Sequence, residues 1–244
     1  SWMNPDRWPR ALAVTIVLGG FLALTAGPAF SQAGGSKQAT KFRAQADNTK
    51  KAVEQARDQI QSTLELYNAL MAGKEKKPEN TYKKLSQGVD QCDKKRDAAK
   101  KSAEGMKKEA DKFFAAWENE QEKYTSEDLK KRSEERLQFY KDRFTEMTDA
   151  MTAAEEADQP FDSSLRDQVM LLGNDLSEAG IASLQDEAKT LNASAEALFQ
   201  KIDAIFDEEA RSEKKLDDEA PPPVEEGGEG EEAPAEEEEA AGGN

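Results

Sequence analysis

The sequence predicts an all-α protein, an elongated antiparallel helical bundle or coiled coil with three or four long helices. Three observations lead there. Ala, Glu, Lys, Leu and Arg supply about half of the 244 residues, which is the composition of long helices. Only seven Val or Ile residues occur between positions 34 and 216, so β-strands have little material. Apolar residues recur in alternating steps of four and three over many turns, the 3.5-residue period of helices that wrap around one another.

The chain reads in three parts. Residues 1–33 have the form of an export signal. Arg7 and Arg10 precede an uncharged apolar run, residues 11–27, which Pro28 ends. Ser31-Gln32-Ala33 then places small residues at the −3 and −1 positions of a signal-peptidase site. The run is shorter than the ~20 apolar residues of a spanning helix. The reading is therefore a cleaved signal and a periplasmic or secreted protein, the alternative being an inner-membrane anchor through residues 11–27. No cysteine at the boundary could carry a lipid. Residues 34–216 form the helical coiled-coil domain. Residues 217–244 hold twelve acidic residues, no basic one and a Pro221-Pro222-Pro223 run, so they carry −12 of the formal net charge of −16. No apolar face there offsets the ordering entropy, and a disordered acidic tail is expected.

Within the helical domain the first seam is Phe42, Ala46, Thr49, Val53, Ala56, Ile60, Thr63, Tyr67 and Leu70. Gly73 and Pro78 mark the turn after it. The second helix, residues 79–124, carries Tyr82, Leu85, Val89, Cys92, Arg96, Ala99, Ala103, Met106, Ala110, Phe113, Trp117 and Tyr124. A third is capped by Thr125, with Glu127 and Asp128 in its first turn. Leu129, Ser133, Leu137, Tyr140, Phe144, Met147, Met151 and Ala154 make its seam, and Pro160 is expected to end it. A fourth starts after Asp162 with Leu165, Val169, Leu172 and Leu176. Its period slips near Gly180, as at a stutter or a tight crossing. It resumes through Leu184, Ala188, Leu191, Ala195, Leu198, Ile202 and Ile205. The aromatics Phe113, Phe114, Trp117, Phe139, Tyr140 and Phe144 place the best-packed core beside the Tyr124 break.

The chemistry is mostly read by exclusion. The chain has no histidine and one cysteine. That leaves no Ser-His-Asp or Cys-His catalysis, no His-ligated zinc and no Cys-based cage or intrachain disulfide. An acidic chain of pI near 4.6 is a poor nucleic-acid binder. Four features remain. Arg166-Asp167-Gln168 lies beside a seam, where charged residues form interhelical ion pairs that set register. Cys92 reads as a small buried seam residue, the alternative being a thiol paired across a dimer. Lys94, Lys95, Arg96, Lys100, Lys101, Lys107 and Lys108 make the second helix locally basic, interleaved with Asp90, Asp93, Asp97, Glu104, Glu109 and Asp111. A solvated face laced with i,i+4 ion pairs is expected, and adhesion to an anionic membrane is the alternative. The tail lacks the loop spacing of a calcium site.

Several stretches resemble a bacterial family known as domain of unknown function 2959. Phe113-Phe114-Ala115-Ala116-Trp117-Glu118 and Tyr124 look like its aromatic-Trp-Glu segment. Leu129, Ser133 and Leu137 follow at its spacing, and Arg143-Phe144 stands where it has Arg-Tyr. Leu165-Arg166-Asp167-Gln168-Val169 is the most specific piece, continuing through Leu172 and Leu176 to Ile181-Ala182-Ser183-Leu184-Gln185. The resemblance covers residues 113–210 well and the first helix loosely. It departs at Gly173-Asn174, where the family has a Lys-His pair. It implies a helical protein exported in Gram-negative bacteria and supplies no mechanism.

The sequence thus points to a non-enzymatic exported coiled-coil protein, a scaffold, spacer or adaptor of the cell envelope. No catalytic, cofactor-binding or metal-binding residue is expected. Its partners would be an envelope protein or a second copy, met through the helix seams. The alternative is a helical protein assembling on bilayer surfaces, kept open by Lys37, Lys41, Arg43, Lys50, Lys51 and Arg57 on the first helix.

Overall fold

A computed structural model describes the backbone of residues 35–219 and the side chains of residues 37–207. The expected export signal and nearly all of the expected acidic tail lie outside the described residues. Five helices follow in order: α1 (Gly35–Met71), α2 (Pro78–Gln121), α3 (Glu127–Asn174), α4 (Glu178–Ser183) and α5 (Gln185–Glu219). No strand occurs among the described residues. At 1.5 Å per residue the 44 residues of α2 and the 48 of α3 are roughly 66 and 72 Å long.

The four long helices form an up-down-up-down bundle. Thr63 meets Cys92 while Phe42 meets Phe113, so α1 and α2 are antiparallel. Lys141 meets Glu118 while Arg166 meets Asp93, so α2 and α3 are antiparallel too. The pairs Asn68–Asn192 and Arg57–Asp203 set α5 antiparallel to α1. The closest pairings are α1 with α2 and α3 with α5.

The turns are written locally. Gly73 takes a left-handed φ of +64°, the position past a helix end that glycine fills without a Cβ penalty. Pro78 opens α2, where its missing N–H costs nothing. Ser126, not Thr125, caps α3, its hydroxyl accepting from Leu129 N at 3.4 Å.

Two expected breaks move. Pro160 does not end a helix: α3 passes straight through it. An interior proline costs about 3 kcal/mol in an isolated helix. Here Pro160 lies on the exposed side, so the Glu156 carbonyl it fails to bind faces water. Phe161 and Leu165 next to it are 0 and 1 % exposed, and their burial holds the helix. The slip near Gly180 is not a stutter in one helix but the chain reversal between α3 and α5. Gly173, Asn174 and Asp175 are weak helix formers in succession. Ser177 then caps α4, accepting from Gly180 N at 3.1 Å. The segments before and after the slip run antiparallel.

The core has two centres. An aromatic one gathers Phe42, Phe113, Phe114, Trp117, Tyr140 and Phe144 with Met106, Ala110 and Leu137. The larger one occupies the other half, where all the helices converge on Tyr67, Leu85, Phe161, Leu165, Leu172 and Leu191. The best-packed region is therefore not confined to the Tyr124 end. The reason is geometric: the α4 corner folds α5 back over α3 and α1 there. Leu129, assigned to the seam, is 43 % exposed in the first turn of α3.

Candidate functional site

The most specific sequence piece, Arg166-Asp167-Gln168, splits three ways. Arg166 joins an ion-pair network, Asp167 faces solvent and Gln168 is 4 % exposed inside the bundle. Tyr67, from α1, donates its hydroxyl to Gln168 Oε1. Gln168 Nε2 donates to Ser164 Oγ at 3.0 Å and to the Glu187 carbonyl at 3.4 Å. One amide therefore ties α1, α3 and α5 together. Burial, then the nearby Glu187, raises the Tyr67 phenol well above its ordinary range, so it stays a neutral donor.

The network itself links α2 to α3. Arg96 Nη2 donates to Asp158 Oδ1 at 3.0 Å, and its Nη1 donates to Asp162 Oδ1 at 2.7 Å. Its Nε sits 2.7 Å from Asp158 Oδ2 without hydrogen-bond alignment. Arg166 Nε donates to Asp162 Oδ2 at 2.8 Å, and its Nη2 donates to Asp93. Burial works against the Arg96 charge, but Asp158 and Asp162 outweigh it and the guanidinium is held above its usual range. Burial likewise raises the Asp158 carboxyl, and here Arg96 offsets it only in part. Both Asp158 oxygens are engaged by Arg96. The arrangement ties α2 to α3 and engages both oxygens of Asp162 as well, through Arg96 and Arg166. The sequence placed Arg96 on the second seam and Asp93 on a mixed face, and it missed Asp158 and Asp162 as their partners. Their signal was an i,i+4 pair of acids on the α3 stripe that faces α2.

The basic stretch of α2 is not a single solvated face. Arg96 turns inward, Lys95 donates to Gln55 of α1 at 2.8 Å, and Lys100 pairs with Glu155 of α3 at 2.9 Å. Of the expected intrahelical pairs near it, Arg96–Asp93 forms at i,i+3.

Cys92 is fully buried, 3.3 Å from Thr63 Oγ1. Burial raises its thiol pKa. Native chain should accordingly resist maleimide and label only as fast as the bundle opens. Prompt stoichiometric labelling of folded protein would show that the thiol is accessible.

Replacing Tyr67 with Phe should cost about 1–3 kcal/mol, because Gln168 Oε1 is left buried without its donor. The further change Gln168→Leu should restore part of that loss in a urea titration. A double variant no better than the single one would argue against the bond.

Beside the network lies a cleft of about 600 Å³ between the middles of α2 and α3. Its floor is apolar, with Ala56 and Ile60 from α1 and Leu198, Ile202 and Ile205 from α5. Short side chains leave room for it: Ala99 and Ala103 on α2, and Ala154 with Thr148 and Thr152 on α3. Arg96 and Asp158 line one end, and Met106, Lys107 and Thr148 line the other.

Among the described residues no group of three or more His, Cys, Asp or Glu is placed to hold a metal. No described helix is long and apolar enough to cross a membrane. No curated protein and no solved structure matches the chain. A family model does match, that of the protein of unknown function DUF2959, over residues 30–214. That span takes in the long helices except the last five residues of α5, with the ion-pair network and the cleft, and the chain belongs to the DUF2959 family.

Proposed function

We propose that this chain is a non-enzymatic spacer or adaptor of the cell envelope, exported by residues 1–33 and holding partner helices or a second copy along its length. The carrying observation is the pair of helices α2 and α3, roughly 66 and 72 Å long, clamped to each other by the Arg96–Asp158–Asp162 pairs. A device for spanning distance needs stiffness, and this network supplies it without offering a reactive group. The test is site-specific photo-crosslinking in cells, from exposed α2 positions Gln91, Lys101 and Lys108. Discrete adducts in the envelope fraction, from residues sharing one face, are expected. Recovery of uncrosslinked chain in the cytosol would defeat the reading. So would a hydrolytic activity that disappears in a folded Asp158→Asn variant.

A second reading, association with bilayer surfaces, draws on Met170 and Leu171, which are 67 and 54 % exposed on α3. The basic residues of α1 support it less. Arg57 pairs with Asp203 and lies over the Phe199 ring, and Lys50 lies over Phe206. Co-sedimentation with anionic vesicles that is lost in Met170→Ser/Leu171→Ser would favour it; a supernatant protein would remove it.

A further inference from the structure

We propose that the cleft between α2 and α3 binds one free fatty acid, its chain on the apolar floor and its carboxylate at Lys107. Length, volume and charge argue for this occupant. The lining runs from Arg96 to Lys107 on α2 and from Gln159 to Thr148 on α3. Either stretch spans about 16 Å, an extended chain of about a dozen carbons. A cavity of about 600 Å³ has room for one such chain.

The lining chemistry selects an apolar chain. Thr148 and Thr152 donate their hydroxyls to carbonyls of their own helix, at 2.9 and 3.0 Å, so neither offers the cleft a free donor. Water on the Ile60–Ile202–Ile205 floor would have too few partners. Met106 and Met151 are unbranched and adapt to a flexible chain. The charges orient it. At one end Arg96 is saturated by Asp158 and Asp162, so it cannot take a carboxylate. Lys100 is paired with Glu155. Lys107, exposed at the other end, has no ion-pair partner among the described residues. It is the cation left to receive the head group, with Glu104 one turn away in the same lining.

The proposal does not depend on the spacer reading. The experiment is calorimetric titration of the full chain with dodecanoate and, separately, dodecanol, both below their aggregating concentrations. One dodecanoate per chain is expected. Ala103→Trp and, independently, Thr152→Trp fill the cleft and should weaken binding by at least about tenfold, or 1.4 kcal/mol. Helical circular dichroism and melting temperature will show that each variant is folded. Lys107→Gln should weaken dodecanoate and leave dodecanol unchanged. The proposal is overturned by no binding, by many ligands per chain, or by full affinity in both folded tryptophan variants. A Lys107→Gln effect equal for acid and alcohol also overturns it. Pelleting with phospholipid vesicles without uptake of free dodecanoate overturns it in favour of a surface contact.

Discussion

Arg96→Gln should lower stability by about 3 kcal/mol at neutral pH, the low end for breaking a buried ion pair. The low end applies because Arg96 and Asp158 keep 17 and 19 % of their side-chain surface. Most of the loss is the charge left behind. Burial already holds the Asp158 carboxyl above the ordinary carboxylate range, and Arg96 is the largest influence pulling it down. Without Arg96 it must rise further. A carboxyl whose folded pKa exceeds its unfolded value of about 3.9 binds its proton more tightly in the folded state. Its penalty is therefore fully present above the folded pKa. It fades as pH falls through that value and is gone below the unfolded one. The deficit of Arg96→Gln should thus be large at neutral pH and shrink toward pH ~4. Arg96→Gln/Asp158→Asn should recover much of it at neutral pH. Urea titrations at the two pH values check both points. A pH-independent deficit with no rescue would mean that Arg96 acts by packing its stem rather than by pairing.

The periodic part of the fold was legible because a seam residue declares itself by spacing alone. Thr49 and Thr63, polar residues placed on the first seam by spacing, are both fully buried. Their hydroxyls bind the Gln45 and Gln59 carbonyls one turn back. From Leu184 to Ile205 every expected seam residue is buried. Breaks were read less well, since local propensity and tertiary packing compete there. Pro160 has the strongest breaker signal in α3, yet Phe161 and Leu165 override it. The weaker Gly173-Asn174-Asp175 run does end the helix, because the capped corner at Ser177 offers an alternative. A slipped period near Gly180 reads the same whether a helix continues or doubles back. The packing of α5 back against α3 decides it, together with α5–α1 contacts such as Asn68 with Asn192. The network was half legible for a similar reason. Arg166 stood out beside its seam, but Asp158 and Asp162 flank a proline that the sequence places at a helix end. A residue assigned to a turn does not enter the search for interhelical pairs. The cleft was not legible at all: short side chains on two seams mean close approach or open space, and spacing does not distinguish them.

Phe42→Ala should cost about 3–5 kcal/mol, a large value for a residue within the first turns of the described α1. Position alone suggests otherwise, because terminal turns fray and contribute little. Phe42 is instead 1 % exposed, and its ring lies 5.6 Å from Phe113, 6.2 Å from Phe114 and 5.7 Å from Phe144. It is the α1 wall of a cluster otherwise built by α2 and α3. Removing it opens a cavity that Met106 can fill only in part, and each aromatic pair lost adds roughly 0.5–1.5 kcal/mol beyond its buried area. The damage should also be local. Amide exchange should accelerate over residues 106–117 and 137–144 well before it does around Tyr67, Phe161 and Leu191, which belong to the other core. Phe42→Leu, which keeps most of the volume, should lose less than half as much. A loss below about 1 kcal/mol for Phe42→Ala would show that α2 and α3 close the aromatic core without α1. Uniform acceleration across both cores would instead make the bundle a single cooperative unit, with Phe42 acting on all of it.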